Sequence, residues 1–218
     1  CGIGRAAAEL LAAYGANVVL TYLRMPADAH KDDPAFPAEY DEQRATDGHT
    51  VAEAIAAAGG SARAKEADWS DPEAIRGVFD FAEKEFGPVE ILVLVASSWL
   101  ADSFVPEQDD RVGRTLERVS PESFDKQFSV DDRGNAAAIA MFAERHIARG
   151  ARSGRIMAFT SGGSDGFPQE VSYGAAKAAM ENYMKAAATE LYPYGITVNI
   201  IYPPVTDTGW VSDEVRNE

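Results

Sequence analysis

At 218 residues, with 46% hydrophobic and 25% charged residues, the chain has the size and balance of one globular domain, which excludes a disordered tail, a collagen-like repeat and a coiled coil. Thirty-five acidic against 20 basic residues give a formal charge of -15, a field that repels nucleic acid and anionic lipid and reads as a solvated, aggregation-resistant surface. The longest strongly apolar stretch, 91–96, falls far short of the roughly 20 residues that cross a bilayer; no leader opens the chain and its single cysteine, Cys1, cannot form an internal disulfide, so a reducing, cytoplasmic setting is expected.

The chain opens Cys1-Gly2-Ile3-Gly4 with no strand before it and runs into an Ala/Leu-rich helical pattern over Arg5–Tyr14. Gly15-Ala16-Asn17 closes this helix, and the β-branched and aromatic run Val18–Leu23 predicts a buried strand. Residues 25–48 are polar and acidic, with Pro26, Pro34 and Pro37, and read as a surface insertion outside the core. A helix over Thr50–Ala58 ends at Gly59-Gly60, a strand lies near Ala62–Ala67, and Ser70-Asp71-Pro72 starts a helix reaching Phe86. Val89–Ala96 is near-continuously apolar, as expected of a parallel strand covered on both faces. Ser120-Pro121-Glu122 begins a helical pattern, bent at Gly134, that extends to Arg149. Arg155–Thr160 is the next strand, Ser172–Leu191 a long helix, and Ile196–Tyr202 a strand stopped by Pro203-Pro204. Alternation without repeat or linker predicts one domain over residues 1–218, a doubly wound parallel α/β sheet of Rossmann type in three α/β/α layers.

Three groups of residues bear on chemistry. Gly2-Ile3-Gly4 at a helix start lets a pyrophosphate approach backbone N–H groups and the positive helix end, although a glycine pair there is also an ordinary turn. Tyr173 and Lys177 stand four apart on one helix face, so a phenol and an ammonium can act on one ligand or form a surface pair. Ser161 follows its strand at the carboxyl edge, where ligands bind in open α/β sheets, and could equally be a turn residue. His30, His49 and His146 are too scattered to suggest a metal site.

Nearly the whole chain resembles the short-chain dehydrogenase/reductase family, of the kind that includes ketoacyl reductases. The matching residues run in the family's order: Gly2-Ile3-Gly4 as the end of a TGxxxGIG loop, Asp68-Trp69 after a strand, Ile91-Leu92-Val93, Ser161, Tyr173-x-x-x-Lys177, Val198-Asn199, then Pro203 with Thr208. The resemblance implies hydride transfer between a nicotinamide and a carbonyl or secondary alcohol carbon. Tyr173 would be the general acid or base, Ser161 would orient the carbonyl oxygen, and Lys177 would lower the phenol pKa and hold the nicotinamide ribose. The implied cofactor contacts are Gly2, Ile3, Gly4, Arg24, Asp68, Trp69, Ala96, Tyr173, Lys177, Pro203, Thr206 and Thr208. Because the strand ends Thr21-Tyr22-Leu23-Arg24 with no acid before Asp28, NADP is expected, with NAD as the alternative.

The sequence departs from that family in three places. Its Asn-Asn-Ala-Gly is here Leu94-Val95-Ala96-Ser97, its helix-embedded catalytic Asn falls at Asp131, and Pro204 stands where Gly is usual. These changes keep open a second expectation, a catalytically impaired nucleotide-binding or sensor protein. The family's first and last strands have no counterpart, so a chain truncated at both ends is expected. Relatives usually form dimers or tetramers through their two long helices, here Ser120–Arg149 and Ser172–Leu191. Trp99, Phe104, Phe167, Tyr202 and Trp210 are apolar candidates near the carboxyl edge for contact with a small-molecule substrate.

Overall fold

The computed structural model describes residues 2–31, 36–105, 108–111, 113–163 and 165–212; Cys1 and Pro34, used above, lie outside them. In chain order the elements are α1 (Gly2–Ala13), β1 (Asn17–Tyr22), α2 (Ala38–Ala45), α3 (Gly48–Ala57), β2 (Ser61–Glu66), α4 (Pro72–Phe86), β3 (Ile91–Leu94), β4 (Asp102–Ser103), β5 (Glu117–Arg118), α5 (Pro121–Phe128), α6 (Asn135–Ala148), β6 (Gly154–Phe159), α7 (Val171–Leu191) and β7 (Ile196–Ile201). A π-helical segment, Ser129–Gly134, joins α5 to α6, and a 3-10 turn, Tyr192–Tyr194, leads into β7. Asp71 caps α4 by accepting from the Glu73 N–H, with Pro72 at the first helical position. Ser120 and Ser123 form a reciprocal capping box on α5.

The long strands are all parallel. β1 pairs with β2 from Asn17↔Ser61 to Tyr22↔Glu66, and β6 lies between β3 and β7. Helices α1 and α3 cover the first pair through Ala8, Ala12, Val51, Ala52 and Ile55, which meet Ala62 and Ala64 of β2. Helices α4, α6 and α7 cover the triplet around Ile75, Phe79, Phe142, Ile156, Met180 and Ile196. The alternating burial of β6, with Gly154, Ile156 and Ala158 inward, is the two-residue period of a strand. Ile75, Ile156 and Ile196 are fully buried, each stabilising the fold by roughly 1.5–3 kcal/mol. The parallel, helix-covered Rossmann arrangement is therefore the one expected.

The continuous sheet is divided. Among the described residues β1 and β3 do not pair; they line opposite sides of a cavity of about 960 Å3 along their full lengths. Among those residues each has one hydrogen-bonded neighbour, β2 for β1 and β6 for β3. The insertion also differs from a detached surface loop. It carries α2, and Asp41, only 6% exposed, accepts from His30 through its main-chain N–H at 2.8 Å and Nδ1 at 2.7 Å. The His30 ring stacks on Phe36 at 4.0 Å, and Phe36 meets Trp99 edge-on at 5.8 Å, tying the insertion to the segment after β3. No helix among the described residues is long and apolar enough to cross a membrane.

Candidate active site

The parallel direction of β6 delivers Thr160 and Ser161 to the carboxyl edge of the triplet, and the first turn of α7 rises beside them. That turn has no cap of its own, since the Glu170 side chain makes no capping bond. Asp102, fully buried at the end of the segment after β3, supplies it instead: one carboxylate oxygen accepts from the Ser172 N–H at 2.8 Å, the other from the Ser172 and Ser123 hydroxyls. The residue next to Ser172 is Tyr173, whose phenol is hydrogen-bonded to the Ser161 side chain and whose ring meets Phe167 edge-on at 5.5 Å. Lys177, one turn further on, holds Nζ 5.3 Å from the centre of the Tyr173 ring. The serine, tyrosine and lysine singled out in the sequence are thus brought together.

Lys177 is buried and committed. Its Nζ donates to Asp131 Oδ1 at 2.8 Å and to Ser97 Oγ at 3.0 Å, and Ser97 Oγ donates to the same Oδ1 at 2.7 Å. Asp131 Oδ2 accepts from the Ser98 N–H at 2.7 Å and from Gln127 Nε2 at 2.9 Å. The carboxylate is placed by the π-helical segment, whose wider turn rotates Asp131 toward α7. Trp69 fixes that segment: its indole N–H donates to Asn135 Oδ1 at 2.9 Å, and Asn135 Nδ2 donates to the Asp131 carbonyl at 2.9 Å. The Asp131 carbonyl is thus tied to Trp69 through Asn135.

Burial pushes the Tyr173 phenol up to about 12; the charges of Asp131 and Glu170 push the same way and the hydrogen bond from Ser161 opposes them. Lys177 is not among the groups that move it. With its ammonium paired to a carboxylate, Lys177 has little field left for the phenol.

Asp132, the next residue, is buried with neither carboxylate oxygen hydrogen-bonded. Desolvation, then the charge of Asp131, raise it from 3.8 to about 7, against the pull of Lys177. The folded state thus holds this proton where the unfolded chain has lost it, so stability falls as pH rises from about 4 to 7 and the penalty is complete above that. Asp132→Asn removes the titration. Its stability relative to the parent is expected to grow between pH 5.5 and 7 and level off by pH 8.5, by about 2 kcal/mol over that range. Urea midpoints at those three pH values check this, and a constant difference would refute the raised carboxyl.

The cofactor residues line the same edge. The two glycines lie within the first turn of α1, so their N–H groups are among the unpaired donors of a helix N-terminus. A β-carbon at Gly2 would stand 2.7 Å from Thr208 Cγ2, and one at Gly4 3.6 Å from Val95, so the glycine cradle closes against two residues on the nucleotide side of the fold. Ile3 sits between them, partly buried. Ala96, Asp68 and Trp69 border the cavity beside α1. Asp68 Oδ1 accepts from the Ser70 N–H and hydroxyl, so it also serves as the helix-flanking acid. Trp69 is 8% exposed and its N–H is spent on Asn135, which makes it a support for the π segment. Arg24 points its guanidinium at Glu66, with Nη2 2.9 Å from Oε2, while Asp47 stands at 3.9 Å. Thr206 donates to the Pro204 carbonyl at 2.8 Å, and Pro203 is partly buried after β7. These residues fit a dinucleotide: a backbone nest for pyrophosphate, a cation beyond β1 for the adenosine end, and Lys177 near the edge for the ribose.

Residues 40–218 match the sequence family described as short chain dehydrogenase. The chain belongs to the short-chain dehydrogenase family. The dehydrogenase is 28% identical over 216 residues to "Uncharacterized oxidoreductase YjdA" of Bacillus subtilis, covering 99% of this chain and 74% of that protein. It is 34% identical over 207 residues to "NADPH-dependent aldehyde reductase-like protein, chloroplastic" of Arabidopsis thaliana, covering 93% of this chain and 67% of that one. Among solved structures it is similar to a short chain dehydrogenase from Burkholderia cenocepacia in complex with NADP, at 29% identity and TM-score 0.76, covering 99% of this chain and 76% of that chain. The dehydrogenase is therefore an oxidoreductase by family, with Ser161, Tyr173 and Lys177 brought together at one edge of its sheet.

Four residues of the site were not visible as such in the sequence. Gln127 stands one helical turn before Asp131, a spacing that could have been noticed, and Asp132 is simply its neighbour. Asp102 lies in the two-residue strand β4 and Ser97 in irregular chain, both too short of pattern for periodicity to mark them. Of the apolar candidates, Phe104, Phe167 and Tyr202 line a cavity of about 690 Å3 beside Ser161. Trp99 instead lies under the Arg114 guanidinium at 4.7 Å, and Trp210 donates to the Thr206 carbonyl at 3.0 Å.

Proposed function

We propose that the dehydrogenase reduces a small aldehyde or ketone with NADPH. The observation that carries this is the contact of the Ser161 and Tyr173 hydroxyls at the carboxyl edge, with Lys177 one turn beyond. NADPH, when bound, supplies the hydride. Ser161 donates a hydrogen bond to the carbonyl oxygen, Tyr173 gives that oxygen its proton, and the α1 N-terminus holds the pyrophosphate. Arg24, turned from Glu66, pairs with the 2′-phosphate. The cavity beside Ser161 is mostly apolar; among the described residues its charged lining is Asp165 and Glu181, with no lysine or arginine. That chemistry suits neutral or cationic carbonyl compounds and disfavours carboxylates.

Phe124, 48% exposed, stacks on Phe128 at 4.0 Å on α5, an apolar face that a dimer or tetramer would cover. A reducing, cytoplasmic setting accords with the single cysteine.

The deciding measurement is a titration with NADPH and NADH followed by nicotinamide fluorescence, then NADPH oxidation with a panel of neutral and anionic aldehydes. Binding with preference for NADPH and turnover of the neutral compounds is expected. Nucleotide binding with no turnover of any carbonyl would favour the impaired-sensor alternative, and no binding of either nucleotide would overturn both.

A further inference from the structure

Two residues whose chemistry departs from the family pattern touch each other inside the site. Where the resemblance places an asparagine, Asp131 brings a fully buried carboxylate, and where it places a glycine, Ser97 brings a hydroxyl. The hydroxyl donates to that carboxylate and accepts from Lys177, so the second change completes the shell that the first requires. All four named donors around Asp131, from Lys177, Ser97, Gln127 and Ser98, converge on its two oxygens. Such a carboxylate is held in place from four sides.

We propose that Asp131 is a charge-compensating positioning residue: it takes up the ammonium of Lys177, so that the Tyr173 phenol stays a proton donor into the alkaline range. The proposal rests on the reading of the chain as an NADPH-dependent reductase. An ammonium 2.8 Å from a carboxylate presents a dipole to its surroundings, whose field decays faster with distance than that of a lone cation. The other charges near the phenol do not restore a positive field. Glu170, at the start of α7, adds a negative one, and its partner Arg114, at 3.2 Å, is also paired with Asp110 at 2.6 Å. Asp132 acts on the pair from within the π segment and is itself an acid.

The consequence for the reaction follows from its proton balance. In reduction the hydride from NADPH adds to the carbonyl carbon while the Tyr173 phenol gives its proton to the carbonyl oxygen, and the phenolate left behind is reprotonated from solvent. In oxidation the phenolate must exist first, to take the alcohol proton as hydride leaves the carbon for NADP. Keeping the phenol protonated preserves the starting state of the first direction and depletes that of the second.

The test is the pH dependence of kcat/KM in both directions, from pH 6 to 10, for the parent and Asp131→Asn. Oxidation by the parent is expected to climb about tenfold per pH unit through pH 9.5. In the variant the climb is expected to level off at least one unit lower, with the reduction profile falling from the same pH. Coincident profiles, or a parent plateau near pH 8, would overturn the proposal. Should the variant fail to fold, the parent minus Tyr173→Phe difference in tyrosinate absorbance gives the phenol titration directly, with and without NADP. Absence of ionisation below pH 10 supports the proposal, and ionisation between pH 7 and 9 overturns it. Loss of all NADPH-dependent turnover in the parent would sink the reductase reading instead, while the absorbance titration still tests the role of Asp131.

Discussion

Tyr173→Phe is expected to lower kcat for carbonyl reduction by about 10^3-fold or more, with nucleotide binding and thermal stability close to the parent's. General acid catalysis by a positioned group contributes typically 10^2 to 10^4. Here Tyr173 is the group of the triplet able to deliver a proton to a carbonyl oxygen: Lys177 is held by Asp131 and Ser97, and Ser161 is an alcohol suited to orienting. The substitution removes one oxygen from a ring whose packing is set by Phe167 at 5.5 Å, so the fold has little reason to respond. Stopped-flow or steady-state NADPH oxidation, beside a fluorescence titration of the same variant, separates chemistry from binding. A variant that keeps more than a tenth of the parent rate would remove Tyr173 from the mechanism.

Gly134→Ala is expected to cost about 3 kcal/mol, lowering Tm by roughly 6–12 °C for a chain of this size, and to depress turnover as well. A β-carbon at this position would fall inside the contact distance of the Trp69 carbonyl oxygen and lie 2.9 Å from Trp69 Cδ1. Neither can yield cheaply, because the oxygen is backbone and the indole is 8% exposed and hydrogen-bonded to Asn135. The strain therefore passes into the π-helical segment, which sets the direction of Asp131 and, through it, Lys177. Gly77→Ala in α4 is the control, since its β-carbon meets only Lys65 Cε at 3.8 Å, and replacing a helix-interior glycine there should stabilise by about 0.5–1 kcal/mol. Calorimetry of the two variants, with nicotinamide turnover of each, checks both; equal Tm values would show that the approach of Gly134 to Trp69 is not the constraint described.

Long periodic elements were legible in the sequence because their signals are local. The apolar alternation of β6, the Asp71-Pro72 start of α4 and the length of α7 all depend on neighbours within a turn or two, and their boundaries fall within about two residues of the reading. The start of α1 was placed at Arg5, three residues late, because glycine weakens a helical pattern that the helix end here tolerates. The helix in the insertion escaped notice because its stability comes from outside itself, through His30, Asp41 and the Phe36 contact with Trp99. Within the site, Ser161, Tyr173 and Lys177 were found from chemistry and spacing, and Asp131 from its place in the family order. What spacing could not tell was that Asp131 and Lys177, 46 residues apart, form a buried ion pair, or that Asp102 caps a helix that begins nearly 70 residues later.

The acidic excess bears on how this polypeptide behaves at high concentration. At a formal charge of -15, molecules repel one another before their surfaces meet. Salt screens that repulsion within about 8–10 Å at 0.10–0.15 M, and acidification toward the pI near 4.6 removes it. Colloidal stability in this chain is thus governed by surface electrostatics, and it is lost first where ionic strength is high or pH approaches 5.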